Sequence, residues 1–173
     1  MVLLVGASGS GKTLLLRRLN YATLVSNSFS SLEEPPLTIS TVGTNLMRVL
    51  VNKRQEVEVR ELGGCMAPIW KNYFNVCDSL MFVIDTSDKA KLSCAFCLLI
   101  DILAHPQLQT VPILLILNKI DSPQKLSHSQ LNDYIHLDGI VHHCPQRIEI
   151  LQTSAKDGTG LERVVDWMKH HCA

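Results

Sequence analysis

The segment Gly6-Ala7-Ser8-Gly9-Ser10-Gly11-Lys12-Thr13 constrains this chain more than any other stretch. It follows a short apolar run at residues 2–5 and opens an amphipathic run at residues 12–19. It therefore reads as the loop between a strand and a helix. Glycines at this spacing let the backbone curl until several N–H groups face one anion. The helix that follows adds the positive end of its dipole. Lys12 supplies a mobile cation for terminal phosphates, and the Thr13 hydroxyl can ligate Mg2+. The plain alternative is a glycine-rich turn that happens to contain Lys and Thr, but such a turn does not require the flanking strand and helix. Residues 6–13 read as a phosphate-binding loop, which points to a nucleotide without saying which one.

The remaining chain keeps one rhythm, short apolar runs alternating with longer amphipathic ones. That is the pattern of an α/β domain with a mostly parallel sheet and helices on both faces. Strands are expected at residues 2–5, 80–84, 113–117 and 148–151, and helices at 12–19, 89–104, 127–136 and 160–170. Residues 45–51 and 57–62 flank a polar turn at 52–56 and read as an antiparallel hairpin. The polar stretch 26–40, with Glu33-Glu34-Pro35-Pro36, reads as a mobile loop. Pro106 and Pro112 bracket the loop that ends the middle helix. With no repeat or low-complexity segment, residues 1–173 read as one domain.

Charge narrows the function classes. Sixteen Lys and Arg balance sixteen Asp and Glu, so the broad basic surface of a nucleic-acid binder is absent. A hydrophobic content of 46% argues against a disordered chain. No apolar run approaches the ~20 residues of a membrane span, and no secretory signal is recognisable. Val2 is not a myristoyl acceptor, and the terminal His-His-Cys-Ala is not a prenylation box. A cytoplasmic chain with no membrane anchor of its own is expected. The six cysteines do not read as a disulfide framework. Cys94-Ala-Phe-Cys97 falls within a helical run and reads as part of a buried helix face rather than a redox or metal pair. His142-His143 and His170-His171 read as surface pairs.

The base is addressed by two further loops. Asn118-Lys119-Ile120-Asp121 follows the strand at 113–117, at the carboxyl edge where open α/β sheets bind ligands. The Asp121 carboxylate can accept two hydrogens, from guanine N1–H and the exocyclic amine, a donor pair that adenine lacks. The wrong base would leave that carboxylate unpaired, which gives strong discrimination. Lys119 can lay its stem along the purine, and Asn118 can brace the loops. Thr153-Ser154-Ala155-Lys156, after the last strand, resembles the Ser-Ala-Lys element of guanine-nucleotide-binding proteins, in which the Ala N–H reads the guanine O6.

With three loops at three strand ends, the chain resembles a small GTPase. The branch it resembles most is the ADP-ribosylation factor (Arf and Arf-like) family. Thr41-Val42-Gly43-Thr44-Asn45 is similar to that family's switch I, and Glu61-Leu62-Gly63-Gly64 to its Asp-x-Gly-Gly switch II. The run Ile69-Trp70-Lys71-Asn72-Tyr73-Phe74, followed by Leu80-Met81-Phe82-Val83-Ile84-Asp85, is similar too, so the likeness spans essentially the whole chain. It implies a six-stranded, mostly parallel sheet with one antiparallel strand. It also implies GTP and GDP as ligands, Mg2+ as cofactor, and a monomer that works with effectors, an exchange factor and an activating protein. In that family Thr41 would ligate Mg2+ and sense the γ-phosphate, and the Gly64 N–H would bond that phosphate. Glu61 would take the metal-side carboxylate role through water, with one extra methylene of reach. Ile69, Trp70, Tyr73 and Phe74 would form the switch II helix, with plain core packing an equal alternative for each side chain.

Two departures stand out. Cys65 occupies the position where the family places the Gln that orients the attacking water. A thiol is a weak hydrogen-bonding group and too short for that role, so very slow intrinsic hydrolysis is expected. Only five residues precede Gly6, so the family's amphipathic N-terminal helix has no counterpart here, and nucleotide-dependent membrane insertion is not expected. Two other readings stay open at this level. One is a pseudo-GTPase scaffold, disfavoured by intact Lys12, Thr13, Asn118 and Asp121. The other is a nucleotide kinase, which would need an Arg-rich lid.

Overall fold

The computed structural model describes residues 1–26, 36–52 and 54–172. Its frame is a six-stranded sheet in the order β2-β3-β1-β4-β5-β6. The strands are β1 (Val2–Val5), β2 (Thr44–Asn52), β3 (Gln55–Leu62), β4 (Ser79–Asp85), β5 (Ile113–Asn118) and β6 (Ile148–Gln152). β2 runs antiparallel to β3, and every other pairing is parallel. The three central strands, β1, β4 and β5, are buried along their whole length. That is why their sequences are almost continuously apolar, since a parallel sheet covered on both faces has no solvent side to alternate toward.

The helices divide between the two faces. On one, Leu15, Leu16 and Leu19 of α1 (Lys12–Tyr21) and Leu161, Val164 and Met168 of α5 (Leu161–His171) pack with Val2, Leu4, Met81 and Val83. On the other, α2 (Lys89–Leu103), α3 (His128–Ile135) and α4 (Leu137–His143) pack with Leu3, Val5, Phe82 and Ile84. Neighbouring residues of one strand thus feed opposite cores, as the two-residue strand period requires. Ser127 starts α3 with a capping box closed by Gln130.

Three expectations change. Cys94 and Cys97 are exposed, not part of a buried face. The buried stripe of α2 is Leu92, Ala95, Leu99, Ile102 and Leu103, and at 3.6 residues per turn positions 94 and 97 fall beside it. The run 127–136 is followed by a separate short helix, α4, because His136 adopts a left-handed conformation (φ 48°) that ends α3. His171 is half-buried and stacks on Trp167, with ring centroids 4.8 Å apart. His142, His143 and His170 are exposed. Residues Gly64–Val76 form a 3-10 helix containing Pro68, whose missing N–H and fixed φ oppose a regular α-helical ladder. Within it Trp70 and Phe74 join the core, while Ile69 is exposed. Most of the stretch 26–40 expected to be a mobile loop, including Glu33, Glu34 and Pro35, lies outside the described residues. Among the described residues no helix is long and apolar enough to cross a membrane.

Candidate nucleotide-binding site

β1 ends at Val5 and the chain turns through residues 6–11 before α1 begins at Lys12. Gly11 takes φ 95°, and a Cβ there would lie 2.4 Å from the Asn118 amide nitrogen. The residue must be glycine for the phosphate loop and the base loop to touch. Lys12 is buried, and its Nζ donates to the carbonyls of Gly6 (2.8 Å) and Ala7 (2.9 Å). Burial pulls its pKa down to about 8, while the charges of Glu61 and Cys65 push it back up. A phosphate beside it would favour the ammonium form for the same electrostatic reason.

The β2–β3 hairpin and the segments at its ends bring switch residues to this loop. Glu61, at 1% exposure, accepts from the Thr13 hydroxyl at 2.5 Å and from the Thr41 hydroxyl at 3.2 Å, both on Oε1. The two hydroxyls lie 2.9 Å apart. Antiparallel pairing sets Asn45 opposite Glu61, and its amide donates to Oε2 at 3.0 Å. Two hydroxyls and a carboxylate form an all-oxygen donor set, which suits a hard cation such as Mg2+. Gly63 N–H bonds the Gly43 carbonyl (3.0 Å), and the Trp70 indole donates to the Gly63 carbonyl (3.1 Å). A Cβ on Gly64 would sit 2.3 Å from Ser8 N, so the backbone at Gly64 packs directly on the phosphate loop. Cys65 is exposed, with its thiol 3.7 Å from the Thr41 carbonyl.

On the base side Asn118 is buried, and its side chain ties together two loops. Its amide donates to the Ser10 carbonyl (2.9 Å), and its Oδ1 accepts from the Thr153 hydroxyl (3.2 Å) and Ala155 N–H (3.1 Å). The Ala155 N–H expected to face the guanine O6 is thus directed at Asn118. Asp121 accepts from the Ser154 hydroxyl at 2.7 Å and lies 3.9 Å from the Lys156 ammonium. Lys119 has a left-handed backbone (φ 67°) and an ion pair with Asp85 at 2.6 Å. A cavity of about 290 Å³ is lined by Ser8, Gly9, Gly11, Lys12, Thr13, Thr41, Glu61, Gly64 and Lys119, among others. Gly6, Ala7, Ser10, Asn118, Asp121, Ser154, Ala155 and Lys156 lie outside its lining.

Sequence reasoning missed several supporting residues. Arg18 in α1 donates to the carbonyls of Ala155 (3.3 Å) and Lys156 (3.0 Å), tying the last loop to the first helix. Nothing in the local sequence marks it, because it sits where α1 turns inward beside leucines. Asn45, Asp85 and Thr153 lie inside runs that carry the family resemblance, but their partners, Glu61, Lys119 and Asn118, are set by tertiary structure and no spacing announces them.

The model of the ADP-ribosylation factor family matches residues 1–172. The chain belongs to the ADP-ribosylation factor family. It is 41% identical over 169 residues to human ADP-ribosylation factor-like protein 16, covering 98% of this chain and 84% of that protein. It is 28% identical over 169 residues to ADP-ribosylation factor-like protein 1 of Caenorhabditis elegans, covering 96% and 86%. Its fold is similar to the structure of the Arl6 BBS3 small GTPase of Trypanosoma brucei with bound nucleotide analogue GppNp. That likeness has a TM-score of 0.78 at 22% identity and covers 98% of this chain and 94% of the other. As an Arf-family small GTPase, the protein is a guanine-nucleotide binder.

Proposed function

We propose that this Arf-family protein is a GTP/GDP switch that signals to effectors through switch I and switch II and hydrolyses GTP slowly by itself. The observation that carries the reading is the meeting of three segments over the phosphate loop. Thr41 reaches Thr13, and Gly64 packs on Ser8, so both switches stand where a terminal phosphate and its cation would be sensed. The N–H groups of residues 6–11 and Lys12 would hold the phosphates, joined by the Gly64 N–H at the terminal one. Thr13 and Thr41 would hold Mg2+ with Glu61 on the metal side, and the ion would offset charge on the phosphate oxygens. Asp121 would take the guanine edge, with Lys119 along the ring and Ser154, Ala155 and Lys156 closing the pocket. GTP would then order residues 41–45 and 65–74 as one effector-facing surface. Val42 and Ile69 are exposed there, as an apolar contact surface requires.

Cys65 stands where a water-orienting side chain is needed. Its thiol cannot hold a water in line, so turnover would depend on an activating protein that supplies the missing group. An exchange factor would load GTP.

Nucleotide extracted from purified protein, followed by single-turnover [γ-32P]GTP hydrolysis, tests this. Bound GTP that persists for hours, with Cys65→Gln hydrolysing about tenfold faster, is the expected result. A wild-type rate equal to that of Cys65→Gln removes the slow-switch reading. Protein that neither carries nor takes up guanine nucleotide points to a scaffold, and preferential ATP binding points to a kinase.

A further inference from the structure

The metal-side carboxylate differs from the expectation set by family resemblance in length and in surroundings. Glu61 carries one methylene more than the Asp of the family pattern. Its two oxygens are used unequally. Oε2 is anchored by the Asn45 amide across the hairpin, at 3.0 Å. Oε1 faces the Thr13 and Thr41 hydroxyls, at 2.5 and 3.2 Å, and these lie 2.9 Å from each other. Around an octahedral Mg2+ with bonds of 2.0–2.1 Å, adjacent ligand oxygens stand about 2.9 Å apart. The three oxygens, with edges of 2.5, 3.2 and 2.9 Å, bracket that spacing and converge on one side of Glu61.

Charge points the same way. Glu61 is 1% exposed, and among the described residues no Lys or Arg forms an ion pair with it. The buried Lys12 ammonium is attracted by the Glu61 charge, yet it donates to the carbonyls of Gly6 and Ala7 and forms no ion pair with the carboxylate. Burying a carboxylate without an ion pair is costly, and a divalent cation in contact with it offsets that cost. The longer arm lets Oε1 reach the ion while Oε2 stays on Asn45.

We propose that Glu61 ligates the switch's divalent cation directly through Oε1, with Asn45 positioning the carboxylate by holding Oε2. The inference rests on the cation-dependent switch reading above. Direct ligation replaces one water in the inner coordination sphere of the ion. It also places a formal charge against the ion, so shortening the arm weakens cation binding.

The test uses Mn2+ as the probe on the GDP-loaded full chain. Electron paramagnetic resonance in 17O-enriched water counts the waters bound to Mn2+. Wild type is expected to hold one water fewer than Glu61→Asp, and Glu61→Asp to bind Mn2+ about tenfold more weakly. Equal water counts overturn direct ligation, leaving Glu61 behind a bridging water. Should Glu61→Asp fail to fold, wild-type protein labelled with 13C at the glutamate carboxylate gives the same answer. A strong 13C coupling to Mn2+ supports contact, and a coupling no larger than that of a remote carboxylate overturns it. Failure of GDP-loaded wild type to bind Mn2+ at all defeats the underlying cation-dependent reading instead, so the two failures are separable.

Discussion

The loops expected to read a base and the segments expected to sense a phosphate are built differently. On the base side, Asn118, Thr153 and Ser154 are all but fully buried, and Asn118 bonds Ser10, Thr153 and Ala155 at once. Arg18 ties the same loop to α1. On the switch side, Leu37, Ile39 and Val42 stand almost wholly in solvent, and the segment is held by a few single bonds: Thr41 and Asn45 on Glu61, Thr41 beside Thr13, the Gly43 carbonyl on Gly63 N–H and the Leu37 carbonyl on Arg17. One half is fixed by a network that needs no ligand. The other depends on a few bonds around the place proposed for a phosphate and its ion, as the proposed switch role requires.

Three substitutions probe this contrast. Asn118→Ala has the largest expected effect. It leaves the Ser10 carbonyl, the Thr153 hydroxyl and the Ala155 N–H without their partner, at about 3 kcal/mol in total. Unfolding experiments should show that loss, and GDP and GTP should both dissociate roughly a hundredfold faster. If the two nucleotides respond unequally, the base side is not independent of the switches. Thr41→Ala comes next, with GTP affinity falling about tenfold and GDP affinity within about twofold in fluorescent-nucleotide titrations. An equal loss for both would mean that Thr41 does not sense the third phosphate. Thr153→Val is the mildest. Removal of one buried hydroxyl from the Asn118 network costs about 1 kcal/mol, or about fivefold in release of either nucleotide. No change in release would show that Asn118 holds its loops without Thr153.

The legibility of the chain follows the same division. β1, β4 and β5 appear in the sequence at nearly their observed positions because burial on both faces leaves only apolar residues. α4 does not, being short, split from α3 at His136 and rich in polar residues. Cys94 and Cys97 were misplaced because α2 is apolar over more of its surface than its buried stripe, so composition alone does not reveal which way the helix faces. Trp70 and Phe74 were undecided between switch and core for a related reason. Residues 64–76 wind as a 3-10 helix, whose period differs from the α-helical one used to assign faces. The candidate loops themselves, residues 6–13, 118–121 and 153–156, were legible because each needs particular residue types at adjacent positions.

The sequence by itself determined the local pieces. A glycine-rich turn between strand and helix, a carboxylate after β5 and a Cys directly after Gly63-Gly64 are all set by neighbouring residues, where backbone geometry and side-chain chemistry act over short range. Tertiary structure decided what those pieces do together. Parallel pairing of β1 with β3 sets Leu4 beside Glu61, and antiparallel pairing of β3 with β2 sets Asn45 opposite it. Only that double register brings Thr13, Thr41 and Asn45 onto the Glu61 carboxylate. Residues so far apart in the chain leave no spacing to read, because their distance is set by the sheet and not by the number of residues between them.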